Sequence, residues 1–254
     1  MRSYFEKSYE LRYFEMNRHG EASPTAILKL LEETAAEHCY EIENCLYSLE
    51  RKNIGWVLLS GAIDMIRYPK YKERIFIRTW VSKYTLVRGY RENLIFDEYG
   101  NLIGKAKGIW AFYDVMNRKP VPVFEDIKTK WGINSEVSDE VEFDKIKIIE
   151  NDSPWLEFNI YKSDIDNNNH VNNIRYFHWL TDSVPDDILD NYFLKRVNAR
   201  FFSEAKFGEK IQVYVQDKMI QNEFLVTMKS NVDGKLLAAA HTVWSRYNSI
   251  QMVA

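Results

Sequence analysis

Residues 163–176 read S-D-I-D-N-N-N-H-V-N-N-I-R-Y. Within five positions this segment offers a carboxylate at Asp166, an amide at Asn168 and an imidazole at His170, directly ahead of a helical stretch. Asp and Asn are common caps and turn formers, because their side chains bond nearby backbone N–H groups. A cap needs only one such residue, and here a histidine is added, the usual acid–base side chain near neutral pH. Two readings therefore stand side by side, a capped turn and a compact acid–base constellation at a helix N-terminus. Asp164 reads as a turn residue and is left out of the constellation.

The elements that must position these groups appear twice along the chain. Residues 15–19 (E-M-N-R-H) and 166–170 (D-N-N-N-H) share acid-x-N-x-H, and a helical stretch follows each. Lys70, Glu73 and Ile75 match Lys206, Glu209 and Ile211, and residues 100–110 match 234–244, each ending on Trp. Matches in the same order imply two copies of one fold. The expected boundaries are 1–130 for the first copy, 131–151 for a polar, acidic linker and 152–254 for the second copy.

In the first copy Ser23 can cap and Pro24 suits the first helical position. Ile27, Leu30, Leu31, Ala35 and His38 follow at helical spacing. In the second, Ile174, Phe177 and Leu180 carry the spacing until Pro185 interrupts it. Ile211, Val213 and Val215 alternate with Gln212, Tyr214 and Gln216, as in a half-buried antiparallel strand. Hairpin turns are expected at Gly100 and Gly234. A helix with one apolar face and a sheet with one apolar face cover each other. The expected class is α+β, with a long helix against an antiparallel sheet, made twice in tandem.

Composition excludes several functions. Of 254 residues, 46% are hydrophobic and 28% charged, which is globular. The net charge of −3 argues against nucleic acid as a partner, since phosphate binding needs a dense basic surface. Cys39 and Cys45 form no C-x-x-C pair, which excludes a disulfide framework or zinc ribbon. The first eight residues lack the apolar stretch of a signal peptide and no run is long enough to span a membrane, so cytoplasm is the expected address. No metal is expected, because His170 has no second histidine four residues away; His178 is eight residues on. His38 and His241 read as structural. The basic residues Arg67, Lys70, Lys72, Arg74, Lys105 and Lys107 read as a solvated sheet face, or else as a docking patch for an acidic partner.

The motif D-x-D-x-N-x-H-V-N-N-x-x-Y, with a Trp soon after, resembles the signature of the acyl-acyl carrier protein thioesterases, which are double hotdog proteins. G-W-V-L (55–58), R-Y-P-K (67–70), Thr79-Trp80, R-G-Y-R (88–91) and the run ending Gly108-Ile109-Trp110 are similar to that family's N-terminal hotdog. The resemblance implies hydrolysis of a fatty acyl thioester without a cofactor, with acyl carrier protein as partner. It implies catalytic roles for Asp166, Asn168, His170 and, in F-F-S-E-A (201–205), Glu204. Many plant members carry a cysteine after that glutamate; Ala205 stands here, which excludes a cysteine nucleophile at that position. The fuller motif lies in the second copy, so chemistry is expected there and acyl-chain binding in the first.

Thioester hydrolysis needs an activated water or carboxylate and positive polarity at the carbonyl oxygen. Backbone N–H groups of Val171, Asn172 and Asn173, at a helix N-terminus, offer that polarity. Asp166 acts either as nucleophile or as base towards water. Of the tryptophans, Trp56 and Trp110 are candidates for lining an acyl pocket and otherwise read as packing. Alternative readings are an acyl-coenzyme A thioesterase, a hotdog lyase, disfavoured by the four-residue gap without proline between Asp166 and His170, and a non-catalytic acyl-binding protein. A monomer and a homodimer are both compatible with internal duplication.

Overall fold

The computed structural model describes residues 4–41, 49, 51–134, 143, 145–150, 153–166, 171–220 and 222–247. Asn168, His170 and Cys45 lie outside the described residues. The chain divides into two compact units, Met1–Glu142 and Phe143–Ala254.

In the first unit, strand β1 (Phe5–Glu10) leads through a 3-10 turn at Tyr13–Glu15 into helix α1 (Pro24–Glu41). Strands β2 (Ile54–Met65), β3 (Arg74–Tyr84), β4 (Arg88–Asp97) and β5 (Leu102–Asp114) follow, then the short β6 (Lys119–Pro120) and helix α2 (Glu125–Trp131). The strands pair antiparallel in the order β1-β3-β4-β5-β2, with β6 added against β5. The Ser23 hydroxyl accepts the Ala26 N–H at 3.1 Å, so α1 begins where its cap and its proline place it. Ala26, Ile27, Leu30, Leu31 and Thr34 are buried along one face, which α1 turns to β1 and β3.

In the second unit, β7 (Leu156–Asn159) leads through a 3-10 turn at Lys162–Asp164 into helix α3 (Asn173–Asp182) and helix α4 (Asp186–Asn191). Then come β8 (Tyr192–Phe201), β9 (Lys210–Asp217), β10 (Glu223–Ser230) and β11 (Leu236–Arg246). Their order is β7-β9-β10-β11-β8, again antiparallel and the same permutation as in the first unit. The expected second long helix is not present as such. Pro185, which lacks an N–H, ends the run: α3 has 10 residues against 18 in α1, and Pro185 caps the separate α4. Tyr176, Phe177, Trp179, Leu180 and Thr181 are the buried residues of α3, which packs on β10 and β11, while its Ile174 is only half-buried.

The duplication can be read residue by residue. Gly100 and Gly234 both turn hairpins with positive φ, 82° and 69°. The Glu73 N–H donates to the Lys70 carbonyl as the Glu209 N–H does to that of Lys206, each at 3.1 Å. Ile75 and Ile211, each the second residue of its strand in β3 and β9, are then fully buried. The helix-entry segments align differently from the sequence match. Isolated bridges join Met16 to Ala22 and Ile165 to Val171. The Ser23 N–H donates to the Glu15 carbonyl, and the Asn172 N–H to that of Asp164. Glu15 therefore corresponds to Asp164, and Asn17 to Asp166. The shared acid-x-N-x-H is out of register by two residues.

The ends of the expected linker take part in the units. Trp131 closes α2, the Asn134 N–H donates to the Val81 carbonyl at 3.1 Å, and Ile149 packs with Tyr214 and Leu225.

Candidate active site

Asp164 anchors the loop that carries Asp166. It is 2% exposed; one carboxylate oxygen accepts the Tyr161 N–H at 2.8 Å and the other meets Arg175 Nε of α3 at 2.7 Å. Its carbonyl accepts the Asn172 N–H at 3.0 Å. In the first unit Glu15 closes its own turn in the same way but takes its arginine from the turn itself, Arg12 at 2.5 Å. Only in the second unit is this acid tied to a helix side chain. Asp166 is half-buried and follows Ile165, whose bridge to Val171 encloses five residues between them. At the matching place Asn17 uses its side-chain oxygen to accept the His19 and Glu21 N–H groups, at 2.8 and 3.2 Å.

The first turn of α3 has less free polarity than its position suggests. The Asn172 side chain is a cap, accepting the Ile174 N–H at 2.8 Å, and the Asn172 N–H already serves Asp164. Val171 is 3% exposed and its side chain is part of the core. Of the three positions expected to present N–H donors, Asn173 is the one that opens the helix, where such groups point out along the axis.

Glu204 lies in the connection between β8 and β9, which is held from several sides. The Phe202 and Ser203 N–H groups donate to the Leu237 carbonyl, the Ser203 hydroxyl to that of Leu236, and Lys235 Nζ to that of Glu204 at 3.1 Å. The Ala205 N–H donates to the Tyr176 phenol oxygen at 2.7 Å. Tyr176 is 2% exposed, and burial pushes its phenol above the ordinary range, so it stays un-ionised. Adjacent residues of one helix, Arg175 and Tyr176, thus reach the two segments that bear Asp166 and Glu204. Tyr176 is the last residue of the D-x-D-x-N-x-H-V-N-N-x-x-Y motif, and its spacing there carries no sign of this bond.

His38 and His241 take structural places. Burial and the nearby Arg91 guanidinium push the His38 imidazole down to about 3, so it is neutral at physiological pH; it stacks between Phe5 and Trp131. His241 Nε2 lies 2.8 Å from Glu223, which Lys218 also meets at 3.0 Å. Trp56 packs against Phe112 and Trp131 at 4.8 and 5.9 Å, within a cluster around Leu49, Val123 and Ile127. Trp110 is half-buried on β5, with its indole nitrogen beside Gly108. Much of the basic patch is neutralised: Arg67 pairs with Glu73 and Asp97, Lys72 and Arg74 with Glu10, and Lys107 with Glu92. That fits a solvated face better than a cationic docking patch. Among the described residues no cluster of three His, Cys, Asp or Glu side chains is placed to hold a metal ion.

Known sequences place this chain in a family. The acyl-ACP thioesterase N-terminal domain matches residues 2–131, and the C-terminal domain of the same family matches 149–246. The chain belongs to the acyl-ACP thioesterase family. It is 24% identical over 219 residues to a chloroplastic acyl-[acyl-carrier-protein] hydrolase of Cuphea viscosissima, covering 80% of this chain and 52% of that protein. It is 26% identical over 215 residues to the chloroplastic palmitoyl-acyl carrier protein thioesterase of Gossypium hirsutum, covering 79% and 52%. The chain spans about half the length of these curated relatives.

Among solved structures, an acyl-ACP thioesterase from Bacteroides thetaiotaomicron superposes with a TM-score of 0.87 at 24% identity, over 96% of this chain and 98% of that one. The 12:0-ACP thioesterase from Umbellularia californica gives 0.84 at 15% identity, over 96% and 98%. At such identities the likeness establishes the fold, a double hotdog of two tandem α+β units.

Proposed function

We propose that this acyl-ACP thioesterase family member hydrolyses the thioester of a fatty acyl-acyl carrier protein, releasing the free fatty acid and ending chain elongation. The observation that carries the reading is the anchoring of the Asp166 loop and the Glu204 connection to one helix, in a chain whose two units both match the family. Either Asp166, as base, takes a proton from a water that adds to the thioester carbonyl carbon, or its carboxylate attacks that carbon and water hydrolyses the resulting anhydride; on both routes the carbon–sulfur bond breaks and the carrier thiolate leaves and takes up a proton. His170 and Glu204 activate and orient the water, and Asn168 holds the constellation. Ala205 leaves no thiol beside Glu204 to compete for the nucleophile's role. Work in the cytoplasm is part of the same reading, and a homodimer is compatible with it.

The test is an assay of purified protein on matched acyl-carrier-protein and acyl-coenzyme A substrates across chain lengths. Turnover with the higher kcat/KM on the carrier-protein series is expected. Equal or better turnover of coenzyme A thioesters reassigns the carrier, and binding without turnover reassigns the protein as an acyl binder.

The proposal places the acyl chain in the first unit, with Trp56 and Trp110 as candidate pocket walls. Trp56→Leu and Trp110→Leu separate a wall from a core residue. A wall residue made smaller shifts preference to longer chains, each added methylene being worth about 1 kcal/mol. A core residue made smaller costs stability on the order of 2–4 kcal/mol and leaves the profile unmoved. Given its aromatic neighbours, Trp56→Leu is expected to lower the melting temperature, and chain-length profiles with melting curves for both variants decide the rest.

A further inference from the structure

We infer that Tyr176 is a positioning residue: its phenol oxygen fixes the Glu204 connection to α3, while the neighbouring Arg175 fixes the Asp166 loop, so that one helical turn sets the spacing of the two acids. This rests on the proposed roles of Asp166 and Glu204 and goes beyond them. The Tyr176 ring is held edge-on against Trp179 of its own helix and against Phe201, the last residue of β8, at centroid distances of 5.8 and 6.4 Å. Its oxygen then meets the N–H of the residue that follows Glu204, at 2.7 Å. A buried N–H left without an acceptor is costly, so the connection is held at the length this bond dictates.

The first unit supplies the control. By the register of the duplication, Tyr176 corresponds to Ile27, Ala205 to Pro69, Arg175 to Ala26 and Glu204 to Tyr68. Proline has no N–H to satisfy and isoleucine no oxygen to offer, so acceptor and donor are both missing there. The Tyr176 contact is thus present only in the unit that carries the two acids, although Ile27 is as buried as Tyr176. Packing alone is met by Ile27 at this position, so the hydroxyl answers a different requirement.

Tyr176→Phe keeps the ring and removes the oxygen. The expected result is kcat lowered about ten- to a hundredfold with KM little changed, because a displaced catalytic group is felt mainly in the chemical step. Hydrogen exchange at the Ala205 amide should accelerate. In a Glu204→Gln background, Tyr176→Phe should have no further effect on kcat, since a positioning residue has nothing left to position. A lower melting temperature with unchanged kcat, or losses that multiply in the double variant, would overturn the inference. Full activity of Glu204→Gln alone instead removes Glu204 from the proposed site, a distinguishable failure. If Tyr176→Phe does not fold, 3-fluorotyrosine at position 176 keeps ring and oxygen but weakens the acceptor; an unchanged kcat in that protein overturns the inference equally.

Discussion

Asp166→Asn is expected to remove hydrolysis and leave the fold intact. The carboxylate is the only part of the side chain that can attack a thioester carbonyl or take a proton from water, and the amide does neither. Loss of such a group costs on the order of 10²–10⁴ in rate. The structural half of the expectation comes from the first unit. Asn17 occupies the matching place there, in a turn closed by the bridge of Met16 to Ala22, as Ile165 to Val171 closes the other. The matching turn of the first unit thus holds an asparagine, whose side-chain oxygen accepts two N–H bonds there. The measurements are kcat/KM on an acyl-carrier-protein thioester and a thermal melt. A near-normal rate would take Asp166 out of the chemistry; a collapsed melting temperature would make it a structural acid like its neighbour Asp164.

The second large effect concerns His170 and Glu204, which are expected to act as one unit with Asp166. Single substitutions to alanine should each lower kcat on the order of 10²–10⁴. The double variant His170→Ala/Glu204→Ala should fall little further than the worse single one, since groups that share one step lose most of their value when any of them goes. Single-turnover rates of the four proteins complete the cycle. A double loss equal to the product of the singles would mean that the two residues contribute independently.

Much of the architecture was legible in the sequence. Ser23-Pro24 marked the start of α1, the glycines at 100 and 234 the hairpins, and Pro185 the end of α3. The matches of Lys70, Glu73 and Ile75 to Lys206, Glu209 and Ile211 hold in space because turn and strand register fix them together. The acid-x-N-x-H match failed by two residues because letter similarity followed side-chain types, whereas the backbone is registered by its bridges. Pairing across a strand is a long-range property that local spacing does not encode. Asp164 read as a turn residue, and it is one, but its tie to Arg175 needed the helix in place. The Tyr176–Ala205 bond was missed for the same reason. Its only sequence signal is the exchange of Ile27 and Pro69 for Tyr176 and Ala205, which becomes visible once the copies are aligned correctly.

That exchange has a genetic meaning. In an assembly of two identical chains, every mutation is expressed twice, so a residue needed by one subunit's chemistry is forced on the other. Joining two copies in one reading frame ends the symmetry. Asn17 can stand where the other half keeps Asp166, Tyr68 where it keeps Glu204, and Ile27 and Pro69 where it keeps a hydroxyl and an N–H. Selection can then prune polar groups from one half at the positions where the other half must preserve them. On the proposed assignment of the acids, the four positions record which half of the duplicated gene was released from that obligation.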